Sequence, residues 1–102
     1  MTRLNKMPSL KHLGSFRGEG GLSIGKGEPS LGSVRYEIDC YLDRAAQSAN
    51  GQVEGEIAIL EEAFQAGAAF IALVDGTLIN VVLSDPKGGP TAEIAVCGRF
   101  PA

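Results

Sequence analysis

The stretch Ser33–Arg44, S-V-R-Y-E-I-D-C-Y-L-D-R, limits the possible folds more than any other part of this chain. Val34, Tyr36, Ile38, Cys40 and Leu42 share one parity, and Arg35, Glu37, Asp39, Tyr41 and Asp43 share the other. Side chains of a strand point alternately to opposite faces, so this is a strand with one dry and one wet side. Such a strand belongs to an antiparallel sheet with one face on a core.

The same alternation recurs along the chain. Phe16–Ile24 alternates through a run of glycines, which predicts a strand that bends or carries a bulge. Residues 25–32 compose a turn region. Ala45–Gly51 reads as a polar connector, with Asn50-Gly51 a turn signal, and Val53–Ile59 as the third strand. Over Leu60–Gly67 the period changes. Leu60, Ala63 and Phe64 sit at helical spacing, Glu61 and Glu62 come early and Gly67 ends the segment, so a short helix is predicted. Phe70–Val74 and Leu78–Leu83 form a hairpin through Asp75-Gly76, a common turn dipeptide. Ser84–Thr91 is a loop, and Ala92–Phe100 is the closing strand, with Ala92, Ile94 and Val96 inward and Glu93, Ala95 and Cys97 outward.

The expected fold class is therefore all-β and mainly antiparallel: a small six-stranded barrel or roll with one short helix between strands 3 and 4. Closure suits so short a chain because it removes exposed strand edges. The element order resembles that of an OB-fold, and an SH3-like barrel fits it as well. With 102 residues there is material for one domain and one modest core. Trp is absent and aromatics are few, so that core is aliphatic. Residues 14–102 are read as the domain. Residues 1–13 show no alternation, carry Pro8, and are read as a flexible basic arm.

Charge divides along the chain. Residues 1–26 hold Arg3, Lys6, Lys11, Arg17 and Lys26 against Glu19 alone; the rest hold Arg35, Arg44, Lys87 and Arg99 against eleven acids. The body would repel nucleic-acid phosphates, which leaves only the arm to attract them. No stretch approaches the roughly 20 apolar residues of a membrane-spanning helix. The N-terminus lacks the apolar run of a secretory signal, which places the expected location in the cytoplasm of a bacterium-like cell. Cys40 and Cys97 lie on opposite parities with no metal-ligand spacing, so two reduced thiols are expected.

Motifs for chemistry are sparse. Gly20-Gly21-Leu22-Ser23-Ile24-Gly25-Lys26 matches the start of a phosphate-binding loop, but Gly27 stands where the Mg²⁺-binding hydroxyl belongs and Pro29 where a helix should open. A bent strand explains it better. His12 is the only histidine and falls in the arm, too little for a catalytic set or for most metal sites. No catalytic residue, cofactor or metal is assigned, and an enzyme is not expected. The outward acids of Ser33–Arg44, with Glu54 and Glu56, read as a solvated sheet face with cross-strand ion pairs.

Three functional readings follow. The preferred one is a non-enzymatic module that binds a protein or itself, as a homodimer for example. Its surface is the apolar Phe70–Leu83 hairpin, with Leu78, Asn80 and Val82 on the outside. The second is an OB-like binder of single-stranded nucleic acid using Arg17, Arg35 and Tyr41 as charge and stacking platform. The acids around them argue against it. The third is a barrel that holds a small ligand inside.

Overall fold

The computed structural model describes residues 10–25, 28–43 and 46–98. Six strands, β1 (Leu10–Ser23), β2 (Gly32–Asp43), β3 (Ala46–Glu54), β4 (Ala69–Ala72), β5 (Leu78–Leu83) and β6 (Thr91–Val96), close into a barrel in the order β1-β2-β3-β6-β5-β4. Every pairing is antiparallel. Two three-stranded meanders, β1-β2-β3 and β4-β5-β6, are thus joined along both seams. The helix α1 (Ile57–Ala66) connects them and packs on β1, β4, β5 and β6. With six strands and full closure, the barrel has one strand more than the partly open OB barrel. Among the described residues no helix is long and apolar enough to cross a membrane.

The alternation of β2 is used as its pattern predicts. Val34, Tyr36, Ile38 and Cys40 are buried, and their neighbours in register continue the same inward rows: Ile38 opposite Gly51 and Tyr36 opposite Val53. Leu22, Ile71, Val81 and Leu60 complete an interior filled by aliphatic side chains. The Asp75-Gly76 turn forms as expected, with Gly76 at φ 92° and the Asp75 carboxylate accepting the Thr77 N–H. Tyr36 is only 3% exposed, and its hydroxyl accepts the Val74 N–H at 3.0 Å, which ties this turn to β2.

Several boundaries differ from the sequence reading: β4 stops at Ala72 and β6 at Val96, and three others matter more. Within the expected Ala45–Gly51 connector, Ala46–Gly51 is strand, paired with Asp43 to Ile38, so Asn50-Gly51 sits inside β3 and turns nothing. Gly51 is there because the backbones crowd. A Cβ at this position would lie 1.8 Å from the Glu37 carbonyl oxygen. Next, β3 ends at Glu54, and α1 starts at Ile57, three residues before the expected start. Glu61 and Glu62 are then in mid-helix, and the first turn carries no acid. Packing decided this: Leu60 and Ala63 are buried and Phe64 packs on the core, while Gly67 at φ 89° ends the helix as predicted. Finally, Leu10–Leu13, which the sequence reading assigns to the arm, belongs to β1, and β1 extends along nearly all of β2. The remainder of the arm, residues 1–9, lies outside the described residues.

Gly20–Ser23 runs as regular strand, with Gly20 opposite Val34 and Leu22 in the core. That part of the phosphate-loop match is therefore sheet; Lys26 and Gly27 lie outside the described residues.

Candidate functional site

The register arranges the outward side chains in rows across the barrel. Arg17 faces Glu37, Glu37 faces Gln52, and Gln52 faces Glu93; one rung on, Ser15 faces Asp39, Asp39 faces Asn50, and Asn50 faces Ala95. Arg17 Nη2 is 2.7 Å from Glu37 Oε2, and Arg35 Nη1 is 3.1 Å from Glu54 Oε1. These exposed pairs add little stability, about 1 kcal/mol or less each. They do occupy the two cations that a phosphate would need. Both arginines line one hollow beside Gly18 and Val74. Tyr41 lies apart from them, six residues beyond Arg35 on β2 and about 20 Å along the strand at the usual rise. It is half-buried, its ring centroid 5.4 Å from that of His12. The structure thus brings Arg17 and Arg35 together but does not add Tyr41 to them.

A second group of polar side chains lies at the far end of the β1–β2 ribbon, and the sequence reading missed it. His12 Nε2 is 3.2 Å from Asp39 Oδ1, the Ser15 hydroxyl donates to the same oxygen at 2.6 Å, and Ser15 Oγ is 3.4 Å from His12 Nε2. The bonds from Ser15 and His12 hold the Asp39 carboxyl below its ordinary range, although the side chain stays in solvent. The three residue types suggest a nucleophile relay, but the geometry is not one. A relay needs the carboxylate on one ring nitrogen and the serine on the other. Here both crowd Nε2, and the hydroxyl proton goes to the carboxylate. The one clue in the sequence was the loss of alternation near Leu13. Among the described residues no group of three or more His, Cys, Asp or Glu side chains converges.

The third feature is the outer face of β5. Ile79, Val81 and Leu83 point into the core, while Leu78 and Val82 stand outside, 41% and 43% exposed. Asn80 lies between them, half-buried, and its buried Oδ1 has no hydrogen-bond partner. The register extends the apolar strip sideways: Leu78 faces Ala72, Asn80 faces Phe70, and Val82 faces Ala95. Val82 also ends an open groove of about 630 Å³, whose other wall carries Glu37, Asp39 and Glu93 around Asn50 and Gln52. Leu78, Asn80 and Val82 do share one face, as the parity of the hairpin implied.

The cysteines are both free. Cys40 is buried and its thiol is pushed up by desolvation, then by Asp39; Cys97 is exposed. No protein-family model, curated protein or solved structure matches the chain. The class of molecule is therefore defined by geometry alone: an antiparallel six-stranded closed barrel with an apolar strip on the outer face of β5.

Proposed function

We propose that this barrel is a non-enzymatic assembly module that associates with a second copy of itself through the outer face of β5. One observation carries the reading: Leu78 and Val82 stay open to solvent on a strand whose other face is entirely core. The remaining outward rows offer less to a partner. Several of their charges are already engaged with each other, Arg17 with Glu37, Arg35 with Glu54, and Asp39 with His12 and Ser15.

The magnitude sets what kind of association this is. Full burial of a Val or Leu is worth about 1.5–3 kcal/mol, so covering the exposed fraction contributes about 1 kcal/mol per side chain. Leu78 and Val82 from two copies supply about 4 kcal/mol, at the lower limit of the cost of immobilising two molecules. Phe70 and Ala95 beside them must contribute, and the association is reversible and concentration-dependent.

Sedimentation velocity over a wide concentration range tests this. A monomer–dimer equilibrium is expected, abolished by Val82→Glu without loss of the folded circular-dichroism spectrum. A strict monomer at the highest concentration, or dimerisation indifferent to Val82→Glu, defeats the proposal. Tight, salt-sensitive binding of a fluorescent single-stranded oligonucleotide would favour the nucleic-acid reading instead.

A further inference from the structure

We propose that His12, Asp39 and Ser15 form a binding site for a single divalent transition-metal ion, independent of the β5 surface. The argument begins with the backbone. Residues 12 and 15 have opposite parity and would face opposite sides of a regular strand. Between His12 and Gly14 the register slips: His12 faces Tyr41, Gly14 faces Cys40, and Leu13 is the extra residue. This bulge turns His12 to the same outer face as Ser15, directly beside Asp39. It also places Gly14 at φ 156°, where a side chain is strained. Bulges of this kind re-aim side chains and are found near functional sites.

The three donor atoms then form a triangle. Its edges are 2.6 Å from Ser15 Oγ to Asp39 Oδ1, 3.2 Å from Asp39 Oδ1 to His12 Nε2, and 3.4 Å from His12 Nε2 to Ser15 Oγ. Tetrahedral zinc with bonds of about 2.0–2.1 Å has ligand-to-ligand edges of about 3.3 Å. The two edges that meet at the imidazole already have this length. The short edge is a hydrogen bond; it lengthens when the Ser15 hydroxyl turns its proton to water and offers its lone pair to the ion. An imidazole nitrogen beside a carboxylate oxygen suits zinc, nickel or copper rather than calcium or magnesium.

The surroundings permit a cation. His12 and Asp39 side chains are 51% and 37% exposed, which leaves an open approach and free coordination positions for water. Arg17, whose charge acts on Asp39, is itself paired with Glu37. The tilted Tyr41 ring packs against the imidazole and limits its rotation. With two strong ligands and one weak one, the site is far weaker than a four-ligand structural zinc.

Calorimetric titration of the full chain with ZnCl₂ and NiCl₂, read beside the amide NMR spectrum, tests the site. Saturable binding of one ion per chain is expected, with the largest shifts at His12, Ser15 and Tyr41. His12→Gln and Asp39→Asn should each weaken it by at least about tenfold, the scale seen even for ligand-supporting groups. Cys97→Ser, which removes the exposed thiol, should leave it unchanged. Absence of saturable binding, binding that survives both His12→Gln and Asp39→Asn, or loss of binding in Cys97→Ser overturns the proposal. The substitutions fall on the exposed His12 and Cys97 and the half-buried Asp39, so a native amide spectrum in the variants shows that a change reports the site and not the fold.

Discussion

Gly51→Ala isolates the close approach of β2 and β3, and its cost can be worked from the geometry. The new Cβ would lie 1.8 Å from the Glu37 carbonyl oxygen and 2.8–2.9 Å from the Glu37 carbonyl carbon and Ile38 Cα. All three are backbone atoms, so no side-chain rotation relieves the overlap. Contacts of this type essentially never fall under 3.0 Å, and so the strands must separate by at least 1.2 Å at this rung. A ladder bond of normal length, about 2.9 Å, does not survive that displacement. Two lost ladder bonds cost about 1 kcal/mol each. Overpacking in a close-packed interior adds about 1–3 kcal/mol. The sum, about 3–5 kcal/mol, is a large part of the roughly 5–15 kcal/mol that holds a small domain folded. At about 4–8 °C per kcal/mol, the melting midpoint falls by at least about 12 °C. Circular-dichroism melts of the parent and of Gly51→Ala measure this directly. Gly88→Ala is the comparison: its φ is 74° but a Cβ there meets nothing within 4 Å, so it suffers only backbone strain, about 1–2 kcal/mol. If Gly51→Ala melts within about 4 °C of the parent, the sheet is not closed through this contact and the reasoning fails.

Two further outcomes follow from the titratable groups. Asp39 has a depressed carboxyl in the folded state, so its bonds to Ser15 and His12 contribute stability above the unfolded carboxylate pKa and lose it as pH falls through the lower folded value. Urea unfolding from pH 6 to pH 2 should therefore show a shallower acid limb in Asp39→Asn; an identical slope would mean the cluster does not persist in solution. In the native protein a thiol reagent should label Cys97 and spare Cys40, whose burial both hides the sulfur and disfavours the thiolate, with both thiols titrating in denaturant. Rapid native labelling of two thiols would show that the barrel opens at β2.

How far the fold could be read from the residues depends on how loudly each strand alternates. β2 carries large apolar side chains on one parity and charges on the other, so its faces were plain. β3 hides the same pattern behind small residues. Ala49, Gly51 and Val53 all face inward, but Ala and Gly give little hydrophobic signal, and Asn50-Gly51 mimics a turn. The hairpin was legible as a hairpin, and the parity of Leu78, Asn80 and Val82 placed them together. Their exposure was expected but not compelled, because both faces of that strand are apolar and only the closed barrel shows which face became the core. The His12 group was hidden for a different reason. It joins β1 to β2 across 27 residues of chain through a bulge, and a bulge is an irregularity that no periodic pattern announces.

Alternation, glycine punctuation and chain length by themselves determined an all-β antiparallel barrel or roll of six strands with one helix after the third, because side-chain parity and burial are local consequences of strand geometry. Tertiary structure alone decided the closure order, the need for glycine at position 51, the wet face of β5 and the meeting of His12 with Asp39 and Ser15. Each of these depends on which backbones lie side by side, and that is settled by packing the whole barrel at once rather than by any single segment.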